Sequence, residues 1–400
     1  MPPAANPPKT KPTLAEMKER ARRLVPGFRE RQQKTEMLRR IPPESLDELH
    51  AAGLFRIHQP ARVGGSELPF RAIVEIGSIV AQGCASTAWV LVNLISHHWM
   101  LGYFPPETQN EIWSDSPDHL IGSAFIFAGG KAKRVAGGYR ISGRWPFSSG
   151  VDPSSWLLVG ALVEGEADPE AAYRMFLVPV GHWRVLDTWH VMGLVGTGSH
   201  DIAIEDLFVP ERRSLALSAV RGGPGSWSAV NPGALYKLPM MALFAYVVGA
   251  VPLGIAQATV EQFTRAMRTR IGTYSGKALA DLPTLQIRIA EAGALAAAAE
   301  ALMLGGCDEA TRYAEAGEVP PLEAKARWRR DGAYAAGMCA RAVDLLFTGA
   351  GGGAIYQRNP LQRAFRDVHA AIGHQASTWD VQGTLYGRVV LGLPPEVPNL

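Results

Sequence analysis

Cysteine is scarce in this chain, and its placement argues against two kinds of site. Only three cysteines occur, Cys84, Cys307 and Cys339, an odd number at wide spacing. No Cys-x-x-Cys pair is present, so the sequence has neither the ligand pattern of a zinc site nor a disulfide framework. Free thiols at such spacing fit a reducing compartment. We therefore expect a cytoplasmic protein without a metal site.

An excess of charge of one sign is also missing. The chain has 40 Lys and Arg against 37 Asp and Glu, which gives a net charge of +3. In the one basic stretch, residues 18–40, Lys and Arg alternate with glutamate, as on a solvated helix face. We expect no nucleic-acid partner.

The sequence contains no secretion signal and one stretch that resembles a membrane span. The proline-rich N-terminus has no basic segment followed by an apolar run, so we expect a disordered lead-in. Residues 238–256 carry no charge and approach the length of a span. They contain Pro239 and Pro252 and many small residues, so we interpret them as a buried helix pair in the core. No membrane partner is expected.

Periodicity divides the chain into three parts. Residues 1–118 and 231–400 show long helical patterns, whereas residues 119–230 contain short β-favouring runs separated by glycine, proline and aspartate. We expect an α+β protein with three domains at these boundaries. They are an N-terminal helical domain, a middle β-sandwich or barrel, and a C-terminal antiparallel four-helix bundle.

Individual elements can be placed within these parts. A capping box at Thr13 and Glu16, an interruption near Gly83 of the helical pattern over residues 70–104, and a hairpin turn at Gly137 mark boundaries. No helix is expected between the strands, so the sheet should be antiparallel or mixed. The predicted strands are residues 120–127, 131–136, 139–143, 156–163, 173–180 and 201–205. The predicted C-terminal helices are residues 234–273, 282–316, 321–347 and 360–387.

Two segments carry the main functional pattern. Residues 145–150 are Trp-Pro-Phe-Ser-Ser-Gly, and residues 188–199 are Thr-Trp-His-Val-Met-Gly-Leu-Val-Gly-Thr-Gly-Ser. With residues 97–99 (His-His-Trp) and 366–369 (Arg-Asp-Val-His), they resemble the acyl-CoA dehydrogenase superfamily. Within it they resemble the oxygenase components of two-component flavin-dependent monooxygenases, such as 4-hydroxyphenylacetate 3-hydroxylase. The resemblance extends over nearly the whole chain from about residue 14.

The resemblance implies a cofactor and partners. Reduced FMN or FAD and O2 would form a C4a-hydroperoxyflavin that hydroxylates a small aromatic, phenolic substrate. Residues 349–353, Gly-Ala-Gly-Gly-Gly, follow a helix and not a strand, so they fail as a dinucleotide fingerprint. A separate NAD(P)H:flavin reductase would then supply the reduced flavin. Relatives are tetramers, so a homotetramer is implied.

Several residues match the flavin-binding positions of the resembled family. Ser148 is the best match for a hydroxyl at flavin N5, with Ser149 as the alternative. Arg270 matches an arginine that reaches the flavin phosphate of an adjacent subunit, and Val195 stands where many relatives have arginine. The full implied set is Trp145, Phe147, Ser148, Ser149, Trp189, Thr197, Ser199 and Arg270. Ordinary turn serines and a solvated helix-end arginine are the alternative interpretations.

The implied catalytic residues are Ser148 and two histidines. In the resembled monooxygenases a histidine at the position of His97 lines the substrate pocket, although a packed structural histidine is the alternative. The position of the acyl-CoA dehydrogenase base, eight residues after Asp367, holds Gln375, which cannot accept a proton as a base. The adjacent His374 can exchange a proton near neutral pH. A helix-end histidine without a catalytic role remains the alternative.

Two other functions stay open at this stage. One is an acyl-CoA dehydrogenase or oxidase with bound FAD, which the Gln375 substitution disfavours. The other is a flavin-binding module without catalysis.

Overall fold

The N-terminal part of the chain is helical. The computed structural model describes residues 11–272 and 276–396. The predicted capping box is confirmed, since the Thr13 hydroxyl accepts from the Glu16 N–H at 3.2 Å and the Glu16 carboxylate accepts from the Thr13 N–H at 2.7 Å. The helices are α1 (Leu14–Glu30), α2 (Gln32–Leu38), α3 (Pro43–Ala51), α4 (Arg71–Ala81), α5 (Ala85–Leu101) and α6 (Pro106–Asp115).

The predicted interruption near Gly83 separates α4 from α5. A Cβ atom on Gly83 would lie 2.8 Å from the Val25 carbonyl oxygen, so this tight crossing against α1 requires glycine. Every residue of α5 is buried, including its polar ones. Helix α5 therefore lies in the middle of the molecule and offers side chains to several neighbouring elements.

The middle part is a single mixed sheet of eight strands. Their order is β6-β7-β3-β2-β4-β5-β8, and β1 pairs in parallel with β4. The hairpin turn at Gly137 is confirmed, with φ of +79° between the antiparallel β2 and β3. The strands are β1 (Ile121–Ala124), β2 (Gly130–Val135), β3 (Gly138–Ser148), β4 (Trp156–Val163), β5 (Tyr173–Pro179), β6 (Arg184–Leu186), β7 (His200–Pro210) and β8 (Ser214–Ala216).

Three predictions about the strands were wrong. Strand β3 does not end at Gly143 but continues to Ser148, because it stays paired with β7 across register shifts that accommodate Pro146. Strands β6 and β8 were missed, since three residues are too few for an alternating pattern. A short helix, α7 (Pro169–Ala172), also lies between β4 and β5, where no helix was expected.

The C-terminal part is an antiparallel helical bundle around one apolar helix. The helices are α8 (Met240–Met267), α9 (Pro283–Ala316), α10 (Leu322–Gly349), α11 (Pro360–Ile372) and α12 (Trp379–Val390). Helix α8 packs against α4, α5, α9, α10 and α11. It is apolar enough to span a membrane, but 89% of its apolar window is buried inside the protein. We expected a helix pair here, whereas α8 is one helix that contains Pro252.

The predicted helix over residues 360–387 is broken, which corrects the sequence interpretation. Helix α11 ends at Ile372, and a short 3-10 turn over Gln375–Ser377 precedes α12. Gly373 and the extended backbone of His374 (ψ 137°) interrupt the helical path. The fourth member of the bundle is therefore α11 plus α12. The predicted helix over residues 234–273 begins later, at Met240, and residue 273 lies outside the described residues.

The chain changes from helix to strand between Asp115 and Ile121. It changes back to long helices at Met240. The two predicted domain boundaries, 118/119 and 230/231, stay a prediction.

Candidate active site

The break between α11 and α12 places His374 between two aromatic side chains. The His374 ring lies 5.8 Å from the ring of Trp89 on α5 and 5.9 Å from that of Phe244 on α8, measured between centroids. These residues come from three distant parts of the chain. Sequence reasoning identified His374 but missed Phe244, because an apolar residue in a core helix carries no functional signal.

The hydrogen bonding of His374 determines which ring nitrogen carries the proton. The Ala376 N–H donates to His374 Nδ1 at 3.1 Å, so Nδ1 is an acceptor. Burial lowers the pKa of His374 to about 4, which makes the ring neutral at pH 7. A neutral ring with an acceptor at Nδ1 has its proton on Nε2. His374 therefore presents a hydrogen-bond donor. The neighbouring Gln375 is exposed.

His97 has the opposite arrangement. Its Nδ1 contacts the carbonyl oxygen of Ile121, which can only accept, so Nδ1 carries the proton. Burial lowers the pKa of His97 to about 4. Within the described part of the chain its Nε2 has no hydrogen-bond partner, which leaves a lone pair available. Phe125, another residue that the sequence did not single out, meets the His97 ring edge to face at 6.0 Å.

The two histidines meet helix α5 at different levels, since His97 is part of it and His374 contacts its Trp89 ring. His97 follows Trp89 by eight residues on α5, a rise of about 12 Å. The structure does not bring His97 and His374 into contact. His98 points elsewhere, as expected. Its ring stacks on Trp113 at 6.3 Å and its Nδ1 accepts from Trp113 Nε1.

The two predicted flavin segments are brought together by a chain of hydroxyl groups. Trp89 Nε1 donates to Ser149 Oγ at 3.0 Å, and Ser149 Oγ lies 2.7 Å from Ser199 Oγ. Ser199 Oγ is in turn 2.7 Å from Thr197 Oγ1, which donates to the Leu194 carbonyl at 2.9 Å. Ser149 therefore lies beside Trp89, and Ser199 and Thr197 follow it along the chain of hydroxyl groups.

The other aromatic and serine residues of the first segment lie apart from this chain. Ser148 is fully buried, and its hydroxyl has no partner among the residues described. Trp145 lies in the core of the sheet, where its Nε1 donates to the Gly160 carbonyl at 2.7 Å. Phe147 has a positive φ of 65°, is 62% exposed and meets the Trp189 ring edge to face at 6.2 Å.

The second segment is held by the helices around it. The Asp367 carboxylate accepts from the Leu194 N–H at 2.7 Å, and burial raises the pKa of Asp367 to about 6. Ser86 Oγ accepts from the Gly196 N–H at 3.2 Å. A Cβ atom on Gly193 would lie 2.2 Å from the Arg366 carbonyl oxygen. Gly193 therefore lets the segment approach α11 closely.

Arg270 lies at the end of α8, beside a cavity of about 430 Å³. Its guanidinium donates to the Ala350 carbonyl at 3.3 Å. Among the residues that the structure describes, neither Arg270 nor Arg358, which also lines the cavity, forms an ion pair. Two guanidinium groups that line one cavity suit a phosphate. The glycine-rich residues 349–353 end α10 and border this cavity, as expected of a helix stop.

These features fit a flavin in part. A buried serine, a chain of hydroxyl groups beside the Trp89 ring and a cavity lined by arginines are groups that a polar ring edge and a phosphate would use. The flavin roles of the eight residues named from the sequence stay predictions, as do the catalytic roles of Ser148, His97 and His374.

Comparison with known proteins is consistent with this geometry. Residues 246–379 match the family model "Acyl-CoA dehydrogenase, C-terminal domain". The chain is 33% identical to the flavin-dependent monooxygenase oxygenase subunit HsaA of Mycobacterium tuberculosis over 93% of this chain and 94% of that protein. It is 32% identical to the FADH(2)-dependent resorcinol hydroxylase oxygenase component of Rhizobium sp., covering 92% of each. The crystal structure of 3-HSA hydroxylase from Rhodococcus sp. RHA1 superposes with a TM-score of 0.90 at 32% identity, over 96% of this chain and 99% of that one.

Proposed function

Because this chain belongs to the oxygenase components of flavin-dependent monooxygenases, which have the acyl-CoA dehydrogenase fold, we propose that it hydroxylates a phenolic aromatic substrate. Reduced flavin would come from a separate NAD(P)H:flavin reductase, as the words "oxygenase subunit" and "oxygenase component" in the names of the relatives suggest. Reduced FMN or FAD, when bound, supplies the electrons that activate O2.

One observation carries the substrate assignment. His97 offers an unpartnered acceptor nitrogen, whereas His374 offers a donor N–H, and both rings are neutral at pH 7. A phenol needs an acceptor for its O–H, and His97 Nε2 would accept that proton as oxygen is transferred to the ring. The donor at His374 Nε2 would stabilise negative charge that develops on an oxygen atom.

The surroundings of both histidines suit an apolar aromatic substrate. Trp89 and Phe244 contact the His374 ring, and Phe125 contacts the His97 ring. The residues that would hold the flavin are Ser148, Ser149, Trp145, Phe147, Trp189, Thr197, Ser199 and Arg270.

The assembly we propose is a cytoplasmic homotetramer. Tyr334 on α10 and Trp379 on α12 are 52% and 48% exposed and form an aromatic pair at 5.3 Å. Val390, Leu391 and Leu393 after them are also exposed. An apolar surface of this kind on the bundle suits a contact with a second copy of the chain.

Turnover with reduced flavin tests the proposal. The purified protein, supplied with photoreduced FMN or FAD, air and a set of phenols including resorcinol, should form hydroxylated products that are absent without protein. An acyl-CoA thioester under anaerobic conditions should not bleach oxidised flavin. Lack of any hydroxylated product, together with thioester oxidation to the enoyl form, would contradict the proposal and support an acyl-CoA dehydrogenase.

A further inference from the structure

Leu194 adopts a backbone conformation that residues other than glycine seldom adopt. Its φ and ψ are 51° and 33°, in the left-handed region, although its side chain is buried. A Cβ atom makes this region unfavourable, and leucine has no polar side chain with which to offset the strain. Contacts from elsewhere in the protein must therefore hold the chain in this conformation.

Both backbone groups of Leu194 have hydrogen-bond partners. Its N–H donates to a carboxylate oxygen of Asp367 on α11 at 2.7 Å. Its carbonyl accepts from Trp189 Nε1 at 3.1 Å and from Thr197 Oγ1 at 2.9 Å. A hydrogen bond to an ionised carboxylate is about twice as strong as one between neutral groups. Asp367 therefore makes the strongest hydrogen bond of this residue, whose carbonyl in turn fixes Trp189 and Thr197.

Helix α11 holds the residues around Leu194 from two sides. Next to Asp367, the Arg366 guanidinium donates to the Met192 carbonyl. A Cβ atom on Gly193 would lie 2.2 Å from the Arg366 carbonyl oxygen, so this contact between α11 and the chain is too close for a side chain. The conformation of residues 192–194 therefore depends on α11.

Asp367 is buried, and the arginines of its own helix pair with another acid. It is 5% exposed and lines the cavity beside the end of α8. Arg363 and Arg366 pair with Glu36 on α2, at 3.0 and 2.8 Å. Burial raises the pKa of Asp367 to about 6, so its carboxylate is mostly ionised at pH 7 and mostly neutral at pH 5. The titratable or charged groups around it are Glu36 on α2, Cys84 before α5, Arg363 and Arg366 on α11, and Arg270 and Arg358 of the cavity.

From these contacts, and resting on the proposed function, we infer that Asp367 is a positioning residue, whose carboxylate holds Leu194 in the left-handed conformation and so places Trp189 and Thr197 for the flavin. Asp367 acts through the backbone of Leu194 and needs no contact with the flavin or the substrate. Its effect is complete when the carboxylate is ionised and weakens as pH falls through about 6.

Asp367→Asn tests the role of the charge with the least change in shape. The amide oxygen can still accept from the Leu194 N–H, but only as a neutral group, so residues 188–199 should exchange their amide hydrogens about fivefold faster at pH 7. The difference should vanish at pH 5, where the carboxyl group of the unmodified protein is neutral too. Hydrogen exchange of the flavin-free protein, measured by mass spectrometry and corrected for the intrinsic effect of pH, gives this comparison.

Asp344→Asn is the matched control for this substitution. The Asp344 carboxylate also contacts α11, but it does so at His369, 2.9 Å away, instead of at the Leu194 N–H. Exchange of residues 188–199 should therefore stay unchanged in Asp344→Asn.

A second substitution separates control of the backbone from packing. Glycine adopts the left-handed region freely, so Leu194→Gly added to Asp367→Asn should restore most of the lost protection. Leu194→Ala in the same background also removes the buried side chain but keeps the Cβ atom, so it should restore none. A carboxylate that merely packed against its neighbours would give equal exchange in the two double variants.

Flavin affinity connects the backbone measurement to the proposed function. Reduced FAD and reduced FMN, titrated anaerobically at pH 7, should bind about fivefold more weakly to Asp367→Asn, because only the held conformation is competent to bind. The double variant with Leu194→Gly should recover most of this affinity, and Asp344→Asn should keep all of it.

The outcomes separate the inference from the function on which it rests. Faster exchange and weaker flavin binding in Asp367→Asn, both reversed by Leu194→Gly but not by Leu194→Ala, support the inference. Unchanged exchange or unchanged flavin affinity in Asp367→Asn, or equal exchange in the two double variants, overturns the inference and leaves the proposed function intact. Failure of reduced FAD and reduced FMN to bind the unmodified protein overturns both.

Discussion

His97 and His374 are chemically the same residue in two contrasting backbone settings. His97 lies within the regular helix α5 and its Nδ1–H donates to the Ile121 carbonyl, whereas His374 lies at a helix break and its Nδ1 accepts from the Ala376 N–H. Burial lowers the pKa of both to about 4. The difference shows that the backbone group facing Nδ1, and not burial, decides whether Nε2 is an acceptor or a donor.

The largest effect is expected when the acceptor is removed. His97→Ala deletes the group that would take the phenolic proton, so product formation should fall about 10²–10⁴-fold, the range typical of a lost general base. Product should be measured by chromatography at saturating reduced flavin. His98→Gln, next along α5 but turned towards Trp113, is the matched control and should keep most activity. Equal losses in both variants would indicate a packing defect of α5 instead.

A smaller loss is expected when the donor is removed. His374→Ala should lower the yield of hydroxylated product per flavin oxidised by about tenfold or more, because one charge-stabilising hydrogen bond is lost. Hydrogen peroxide should increase correspondingly, which a peroxidase-coupled assay measures. An unchanged product-to-peroxide ratio would show that His374 is merely a helix-end residue.

The low pKa of both His97 and His374 predicts how the stability of the fold changes in acid. A histidine with a pKa near 4 in the folded state and about 6.5 in the unfolded chain binds fewer protons when folded. Its contribution to stability is therefore complete above about pH 6.5 and is lost as pH falls towards 4. Thermal unfolding should give a constant Tm from pH 7 to 8 and a lower Tm at pH 5. A Tm that rises on acidification would contradict the two neutral histidines.

Almost no effect is expected from restoring a carboxylate beside His374. The Gln375 side chain is exposed, so Gln375→Glu should change hydroxylation less than about twofold, as surface substitutions usually do. It should not create thioester oxidation. The two activities, measured side by side, check this, and a gain of acyl-CoA oxidation would mean that residue 375 reaches the pocket.

Sequence patterns predicted the long elements well because their periodicity is strong. The capping box at Thr13, the break at Gly83, the hairpin at Gly137 and helices α9 and α10 were placed correctly to within a few residues. Strands β6 and β8 are too short to show a pattern. The break at Gly373 and His374 was missed because glycine and histidine are both tolerated within helices. Only the folded structure shows that the His374 ring packs between α5 and α8 at this break.

The sequence named the residues that form the hydroxyl chain but not the contacts among them. Spacing pointed to Ser148, Ser149, Thr197 and Ser199, but hydrogen-bond direction depends on distances between segments that the sequence does not contain. Phe125 and Phe244 were missed because nothing distinguishes a pocket aromatic from a core aromatic before the chain is folded.

The proposed function depends most directly on His97 and His374 being neutral and protonated at opposite ring nitrogens. Nitrogen-15 NMR of protein labelled at histidine, with His97→Gln and His374→Gln for assignment, tests it directly at pH 7. We expect the His97 signals of a ring protonated at Nδ1 and the His374 signals of a ring protonated at Nε2. Two rings with the same tautomer, or either ring in the charged form, would contradict the account.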